Sequence, residues 1–174
     1  MHAELLIHAE WILTVDPENR QLTDHAVAIA DGRIQAILPY EEAQRTIRAE
    51  QTVELPGHVL IPGLINAHTH AAMTCFRGIA DDRTLMDWLN NFIFPAEAKN
   101  VNPELAYWGS LLACAEMIAS GTTTIVDGYF LAGEIVRAFH KAGVRGLVAQ
   151  GVIDFPAPGV PDPGKNIDVA LGFM

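Results

Sequence analysis

Apolar and polar positions divide the chain into two segments with different rhythms. In ELLIHAEWILTV, Glu4 to Val15, apolar and β-branched residues run together until the turn cluster DPENR stops them. That pattern predicts a strand. HAVAIADGRIQAIL predicts two further strands around Asp31-Gly32, a dipeptide that supplies the positive φ of a tight hairpin. PYEEAQRTIRAEQ predicts a short polar helix or loop, and TVELPGHVLIPGLI returns to extended structure punctuated by two Pro-Gly pairs. Residues 1–58 thus read as a small β unit.

The rhythm changes from residue 59 to 174. HVLIPGLINAH is a short apolar run of the kind found in strands covered on both faces. AAMTCFRGIADDRTLMDWLNNFIFPAE reads as a loop-rich stretch. NPELAYWGSLLACAEMIASG predicts a helix with Asn102 as N-cap, Pro103 in its first turn and Gly121 closing it. TTTIVDGY predicts a strand, LAGEIVRAFHKAG a helix ending at Gly143, and VRGLVAQGVIDF a third strand. PAPGVPDPGKN is a Pro/Gly loop, and IDVALGFM begins a further helix or a short extended piece. Strand, helix, strand, helix, strand means βαβ units and a parallel sheet, an α/β class. Three parallel strands make neither a closed barrel nor a comfortable open sheet, so the chain reads as part of a larger unit.

Composition narrows the function classes. Half of the 174 residues are hydrophobic and 18% are charged, enough to build a core and unlike a disordered chain. The formal net charge of -10 disfavours polyanions, so nucleic acid is not an expected partner. No apolar run is long enough for a bilayer, and the N-terminus lacks the basic region of a signal peptide. A cytoplasmic protein without a membrane partner is expected. Cys75 and Cys114 form no CxxC pattern and read as ordinary buried thiols.

The candidate chemistry lies in LIPGLINAHTH. On a strand, His68 and His70 project to the same side about 6–7 Å apart along the chain. Small rotamer changes can bring both imidazoles to one ion at about 2.0–2.1 Å each. The alternative is a pair of structurally satisfied histidines. In favour of a ligand site, the pair ends an apolar strand of a parallel series, where α/β folds collect their ligands.

Four further groups carry two readings each. Glu97 is a carboxylate able to accept two hydrogen bonds from a diol, or an exposed glutamate near a helix start. Trp88 is a substrate contact, or a helix anchor with Leu85 and Leu89. Arg77, Asp81 and Asp82 gate a pocket or are solvated loop charges. Asp127, at the end of the second strand of the series, is expected as a structural hydrogen-bond acceptor. His2, His8, His25 and His58 are expected to have no role in chemistry.

These residues also carry a resemblance. PGLINAHTHAAMTCFRGIADD resembles the first barrel strand and following loop of the amidohydrolase superfamily. Within it, the match is to deaminases acting on 5′-methylthioadenosine and S-adenosylhomocysteine, related to the chlorohydrolases of triazine degradation. LMDWLNNFIFPAEA is similar to the family's substrate-loop segment, and EMIASGTTTIVDGYF to its second barrel strand with the preceding helix. VAIADGRIQAI is similar to part of the small β-sandwich that flanks the barrel.

The resemblance implies the first strands of a metal-dependent (β/α)8 TIM-like barrel over residues 59–174, preceded over 1–58 by part of the β-sandwich. It implies one divalent metal, Zn2+ with Fe2+ as the other candidate, held by His68 and His70. It places Glu97 on the ribose hydroxyls and Trp88 over the apolar part of a small-molecule nucleoside. The implied reaction is hydrolytic deamination at adenine C6, with water activated by the metal, giving the inosine analogue and ammonia. The family's other metal ligands and its acid/base groups come from later strands, so the catalytic residues are expected downstream of residue 174. His140, on a helix beside Lys141, does not replace them. The 174-residue chain reads as the N-terminal portion of a longer enzyme, inactive alone, and homodimers are common in such families. Hydrolysis of guanine, cytosine or a chlorotriazine is the close alternative. A non-catalytic metal-binding or assembly fragment is the distant one.

Overall fold

The structure is a computed structural model describing residues 1–174. It separates into two compact units, Met1–Pro62 and Gly63–Met174. No helix is long and apolar enough to cross a membrane.

The first unit is one four-stranded sheet in the order β3-β2-β1-β4. Its strands are β1 (His2–Leu13), β2 (Gln21–Ala30), β3 (Arg33–Pro39) and β4 (Arg48–Leu60). The predicted hairpin joins β2 to β3, with Asp31 at φ 53° and Gly32 at φ 65°. Both values suit a tight turn whose twist matches that of the flanking strands. A short helix, α1 (Tyr40–Thr46), follows β3 and buries Ala43. Ala3 and Leu6 of β1 pack with Ala26, Ala28, Ala43 and Ile47 in one core, while Ala9 and Ile12 pack with Val27 in another.

The strand β4 passes straight through the first Pro-Gly pair. Its parallel register on β1 jumps from Ala9↔Leu55 to Trp11↔Val59, so Pro56 and Gly57 sit in a bulge. Gly57 takes φ 70°, and its N–H, free of the ladder, donates to Glu10 Oε2 at 2.8 Å. A bulge of this kind absorbs a proline that a regular ladder would exclude. Consequently His58–Leu60 belong to the first unit's sheet. The division falls at the second Pro-Gly pair, Pro62-Gly63, rather than between 58 and 59.

The second unit holds a parallel sheet in the order β5-β6-β7, formed by β5 (Leu64–Thr69), β6 (Thr122–Tyr129) and β7 (Arg145–Gln150). The crossovers are the helices α4 (Pro103–Ala119) and α5 (Ala132–Ala142). Asn102 Oδ1 caps α4 by accepting from the Leu105 N–H at 2.9 Å, and Pro103 occupies the first turn, where no N–H is needed. Past its end Gly121 takes φ 85°, and Gly143 caps α5 at φ 74°. Ile135, Ala138 and Phe139 give α5 its buried stripe. The core joins Ala106, Ala113 and Cys114 of α4 to Ile125 of β6 and to Ile135 and Phe139 of α5.

Four expectations need correction. β5 was expected to be covered on both faces, yet Leu64 and Ile65 are 49% and 68% exposed, and Leu147 on β7 is 63% exposed. The stretch expected as loop after residue 84 is helical: α2 (Leu85–Trp88), a π turn (Leu89–Ile93) and α3 (Phe94–Asn100) run on without a break. Pro95, in the first turn of α3, masked this because a proline reads as a break in a helical pattern. The third strand of the series ends at Gln150, and the last bond of its ladder runs from the Gly151 N–H to the Tyr129 carbonyl at 2.9 Å. Finally, Cys75 is exposed, whereas Cys114 is buried as expected. The last segment is the helix α6 (Asn166–Phe173).

Candidate active site

The histidine pair stands at the carboxyl end of β5, with Thr69 between them on the other face. The two rings lie 5.2 Å apart between centroids at an interplanar angle of 79°. His70 Nδ1 is 2.6 Å from the Gly128 carbonyl oxygen. A carbonyl only accepts, so Nδ1 carries the proton and the Nε2 lone pair is left available. Both histidines are exposed at the strand end, and the chain immediately enters a 3-10 turn over Ala71–Phe76.

The neighbouring strand holds this end in place. Thr69 is registered opposite Asp127, and Asp127 Oδ2 accepts from the Ala71 N–H at 2.6 Å. That bond fixes the backbone directly after His70, as the structural-acceptor reading of Asp127 expects. Asp127 is only 1% exposed. Burial pushes its carboxyl up to about 6, against the Ala71 hydrogen bond. Its other oxygen, Oδ1, and the Thr69 hydroxyl are buried without a hydrogen-bond partner. Cys114 faces the same region, and burial followed by the Asp127 charge raises its thiol to about 11, which makes it inert at neutral pH.

Glu97, on α3, is not the exposed side chain that spacing alone allowed, being 5% exposed. Its Oε1 accepts from the Tyr129 hydroxyl at 2.7 Å. Burial raises the Glu97 pKa, while the Tyr129 hydrogen bond pulls it down. Tyr129 is held protonated by its burial and by the carboxylate it donates to. Its ring stands 6.0 Å from that of His70. One carboxylate oxygen is therefore committed and the other, Oε2, is left to act as an acceptor.

Trp88 closes the same space. Its indole N–H donates to the Ile79 carbonyl at 3.1 Å, and its ring lines a cavity of about 250 Å³ together with His70, Met73, Ile93, Glu97 and Tyr129. The π turn that follows Trp88 lies between this side chain and Glu97. Such turns often mark functional positions, since they rotate side chains out of ordinary helical spacing. Arg77 is committed to Glu116, with Nη1 3.1 Å from Oε1. Asp81 and Asp82 are exposed. His140 lies exposed on α5, away from the cavity's lining.

Thus His70, Glu97 and Trp88 meet at one cavity, and His68 adjoins it through His70. No group of three or more His, Cys, Asp or Glu side chains comes together in a geometry suited to a metal. The donors this chain offers are two imidazoles, one with a defined free nitrogen. They fit as two ligands of a site that needs about three or four. Sequence reasoning missed Gly128 and Tyr129. The signal was available: in a parallel sheet the ends of neighbouring strands lie together, so DGY of β6 had to end beside HTH of β5.

Residues 59–171 match the Amidohydrolase family. The chain is 49% identical over 166 residues to 5-methylthioadenosine/S-adenosylhomocysteine deaminase 1 of Syntrophus aciditrophicus, covering 95% of this chain and 38% of that protein. Its fold matches the crystal structure of an adenosine deaminase from Xanthomonas campestris with bound zinc. The TM-score is 0.91 at 39% identity, over 98% of this chain and 39% of that one. It also matches the zinc complex of an atrazine chlorohydrolase from Arthrobacter aurescens, with a TM-score of 0.80 at 19% identity, over 97% of this chain and 42% of that one. The chain spans under two fifths of the length of the Syntrophus relative.

Proposed function

This chain belongs to the amidohydrolase family, and from that premise we propose that it is the N-terminal portion of a metal-dependent deaminase of adenosine-type nucleosides. The observation that carries the proposal is Glu97: a buried carboxylate with one oxygen held by Tyr129, lining the same cavity as His70. A relative at 49% identity named as a 5-methylthioadenosine/S-adenosylhomocysteine deaminase supports the substrate class. The open apolar positions Leu64, Ile65 and Leu147 support a sheet that further barrel strands would cover, with the remaining ligands and the acid/base groups supplied by them.

His68 and His70 would hold a divalent ion, zinc in keeping with the two matched structures that contain it, and iron(II) by the same imidazole chemistry. Such an ion supplies Lewis acidity and makes water a nucleophile at neutral pH. This chain's own residues do the rest that falls within it. The Gly128 carbonyl holds the His70 tautomer. Glu97 Oε2 accepts from a ribose hydroxyl and so orients the base with its C6 toward the histidines. Trp88, Met73 and Ile93 exclude water from the rest of the cavity. At C6 the ring gains the oxygen of water and loses its amino group as ammonia.

A free base or a chlorotriazine has no ribose diol, so Glu97 separates the nucleoside reading from its close alternative. In the full-length protein, Glu97→Gln is expected to raise KM for adenosine-type nucleosides about tenfold or more, with a smaller change in kcat, because a charged acceptor is lost from a buried hydrogen bond. An unchanged nucleoside KM, or turnover of guanine or a triazine in preference to any nucleoside, would overturn the reading.

A further inference from the structure

The register of β5 on β6 breaks twice. Leu64 stands opposite Thr122 and Thr69 opposite Asp127, but Ile65 and Asn66 stand opposite Thr124 and Ile125. After the first pair β6 thus holds one extra residue, Thr123, and before the last pair β5 holds one extra within Ala67-His68. The two insertions cancel and restore the register at the strand end. Gly63 makes room for the first, because a Cβ there would run into the Thr123 side chain. The second sits at the histidines. Across it, Asn66 Oδ1 accepts from the His68 N–H at 3.2 Å. A backbone N–H only donates, so the carboxamide oxygen faces it, and Nδ2 is turned to Met117 Sδ of α4 at 3.8 Å.

Residues paired across the ladder point to one side of the sheet, so Asn66 and Thr69 share the side of Ile125 and Asp127. Both of those side chains are buried, Ile125 in the core with α4 and α5. In a regular strand two residues three apart face opposite ways. A regular β5 that carried Asn66 toward α4 would carry His68 and His70 there as well. Instead the His68 ring packs edge-on against that of His70 at 5.2 Å, and His70 meets the Gly128 carbonyl at the cavity. We infer that Asn66 is a positioning residue for the histidine pair: its carboxamide closes a one-residue bulge that turns His68 from the helix side of the sheet to the cavity side beside His70. The inference rests on the reading of both histidines as metal ligands. Bulges beside functional sites re-aim side chains in this way. An Asn oxygen that takes the N–H two residues on holds such a turn locally. Alanine or leucine at position 66 offers the His68 N–H nothing, which frees the segment to relax toward regular alternation and turns His68 off the shared ion.

The test uses the full-length protein. Zinc affinity is measured by competition with a chelator, and the geometry around the ion by the visible absorption of the cobalt(II)-loaded form. Asn66→Ala and Asn66→Leu are expected to weaken zinc binding about 10–100-fold, the range for lost outer partners of a metal ligand, and to alter the cobalt spectrum. Asn66→Asp keeps an acceptor oxygen at the same reach and is expected to recover most of the affinity and the original spectrum. A residue that only stabilised the strand would lower the melting temperature and leave the folded protein's zinc affinity and cobalt spectrum unmoved. Unchanged affinity and spectrum in either folded variant, alanine or leucine, would overturn the inference while leaving the metal reading intact. Failure of both to fold would overturn it too, by assigning Asn66 to the stability of β5 alone. Absence of stoichiometric zinc from the unaltered protein would overturn both.

Discussion

Tyr129 does at the scale of one residue what the histidine pair cannot do alone. Its hydroxyl occupies one oxygen of Glu97 and so decides which oxygen remains for a ligand. Tyr129→Phe removes a donor to a buried carboxylate, and an unpaired buried acceptor carries a desolvation penalty of about 1–3 kcal/mol. The variant is expected to lose about that much stability in urea unfolding of the full-length protein. It should also raise KM for nucleosides about tenfold, as the free carboxylate oxygens lose their assigned roles. A nucleoside KM equal to that of the unaltered protein would reduce Tyr129 to a packing residue. At this scale the sequence was half legible. His68 and His70 announce themselves by spacing on a strand. Glu97 does not, because its burial depends on α3, whose start Pro95 hid. Tyr129 does not either, because its partner is 32 residues away along the chain.

Elements differ in how openly the chain declares them. The α4 and α5 helices were legible because caps, prolines and glycines stand at their ends. The α2–α3 stretch was not, since a π turn breaks the helical spacing of its apolar residues and Thr84 at its entry makes no side-chain cap bond. The exposure of β5 was equally hidden, because a sheet's cover is contributed by elements remote in sequence. The packing of α4 on the 3-10 turn after His70 turns on Gly109. A Cβ there would stand 2.6 Å from the Ala72 carbonyl oxygen and 3.1 Å from Cys75 Sγ. Gly109→Ala would ordinarily favour a helix by about 1 kcal/mol. Here the obstacle is backbone, which yields little, and overpacking of this sort costs about 1–3 kcal/mol. We expect a net loss of stability in urea unfolding. A stabilised variant would show that the turn carrying Ala71 and Ala72 gives way easily.

The whole molecule carries ten more negative than positive formal charges, yet one histidine of its first unit is set among anions. His8 has Glu54 Oε2 at 2.6 Å on Nδ1, Asp24 Oδ1 at 2.8 Å on Nε2, and the Tyr40 ring stacked at 3.6 Å. Burial would lower its pKa, but the hydrogen bonds to Glu54 and Asp24 and their charges leave it raised above 6.5. Glu54 is lowered from 4.5 by the Tyr40 hydroxyl and then by His8. A raised histidine stabilises fully below 6.5 and loses its contribution as pH climbs through its folded value. A lowered carboxylate stabilises fully above 4.5 and loses its contribution as pH falls through its folded value. The cluster is therefore fully engaged between about pH 4.5 and 6.5. Exposure of the two carboxylates keeps the effect small. The expected readout is a melting temperature a few degrees higher at pH 6 than at pH 8.5, with the difference reduced in His8→Gln. A profile identical in that variant would assign the pH dependence to other groups.

Three consecutive residues of β6 each grip a different part of the site: Asp127 the Ala71 amide, Gly128 the His70 ring, and Tyr129 the Glu97 carboxylate. They work like adjacent teeth of one key. Sliding that strand by a single notch would turn every side chain to the opposite face and disengage all three together. Half-assembled versions of the pocket thus have little to hold them, and a slip of this strand should release all three contacts in one step, whereas a change of one side chain releases one.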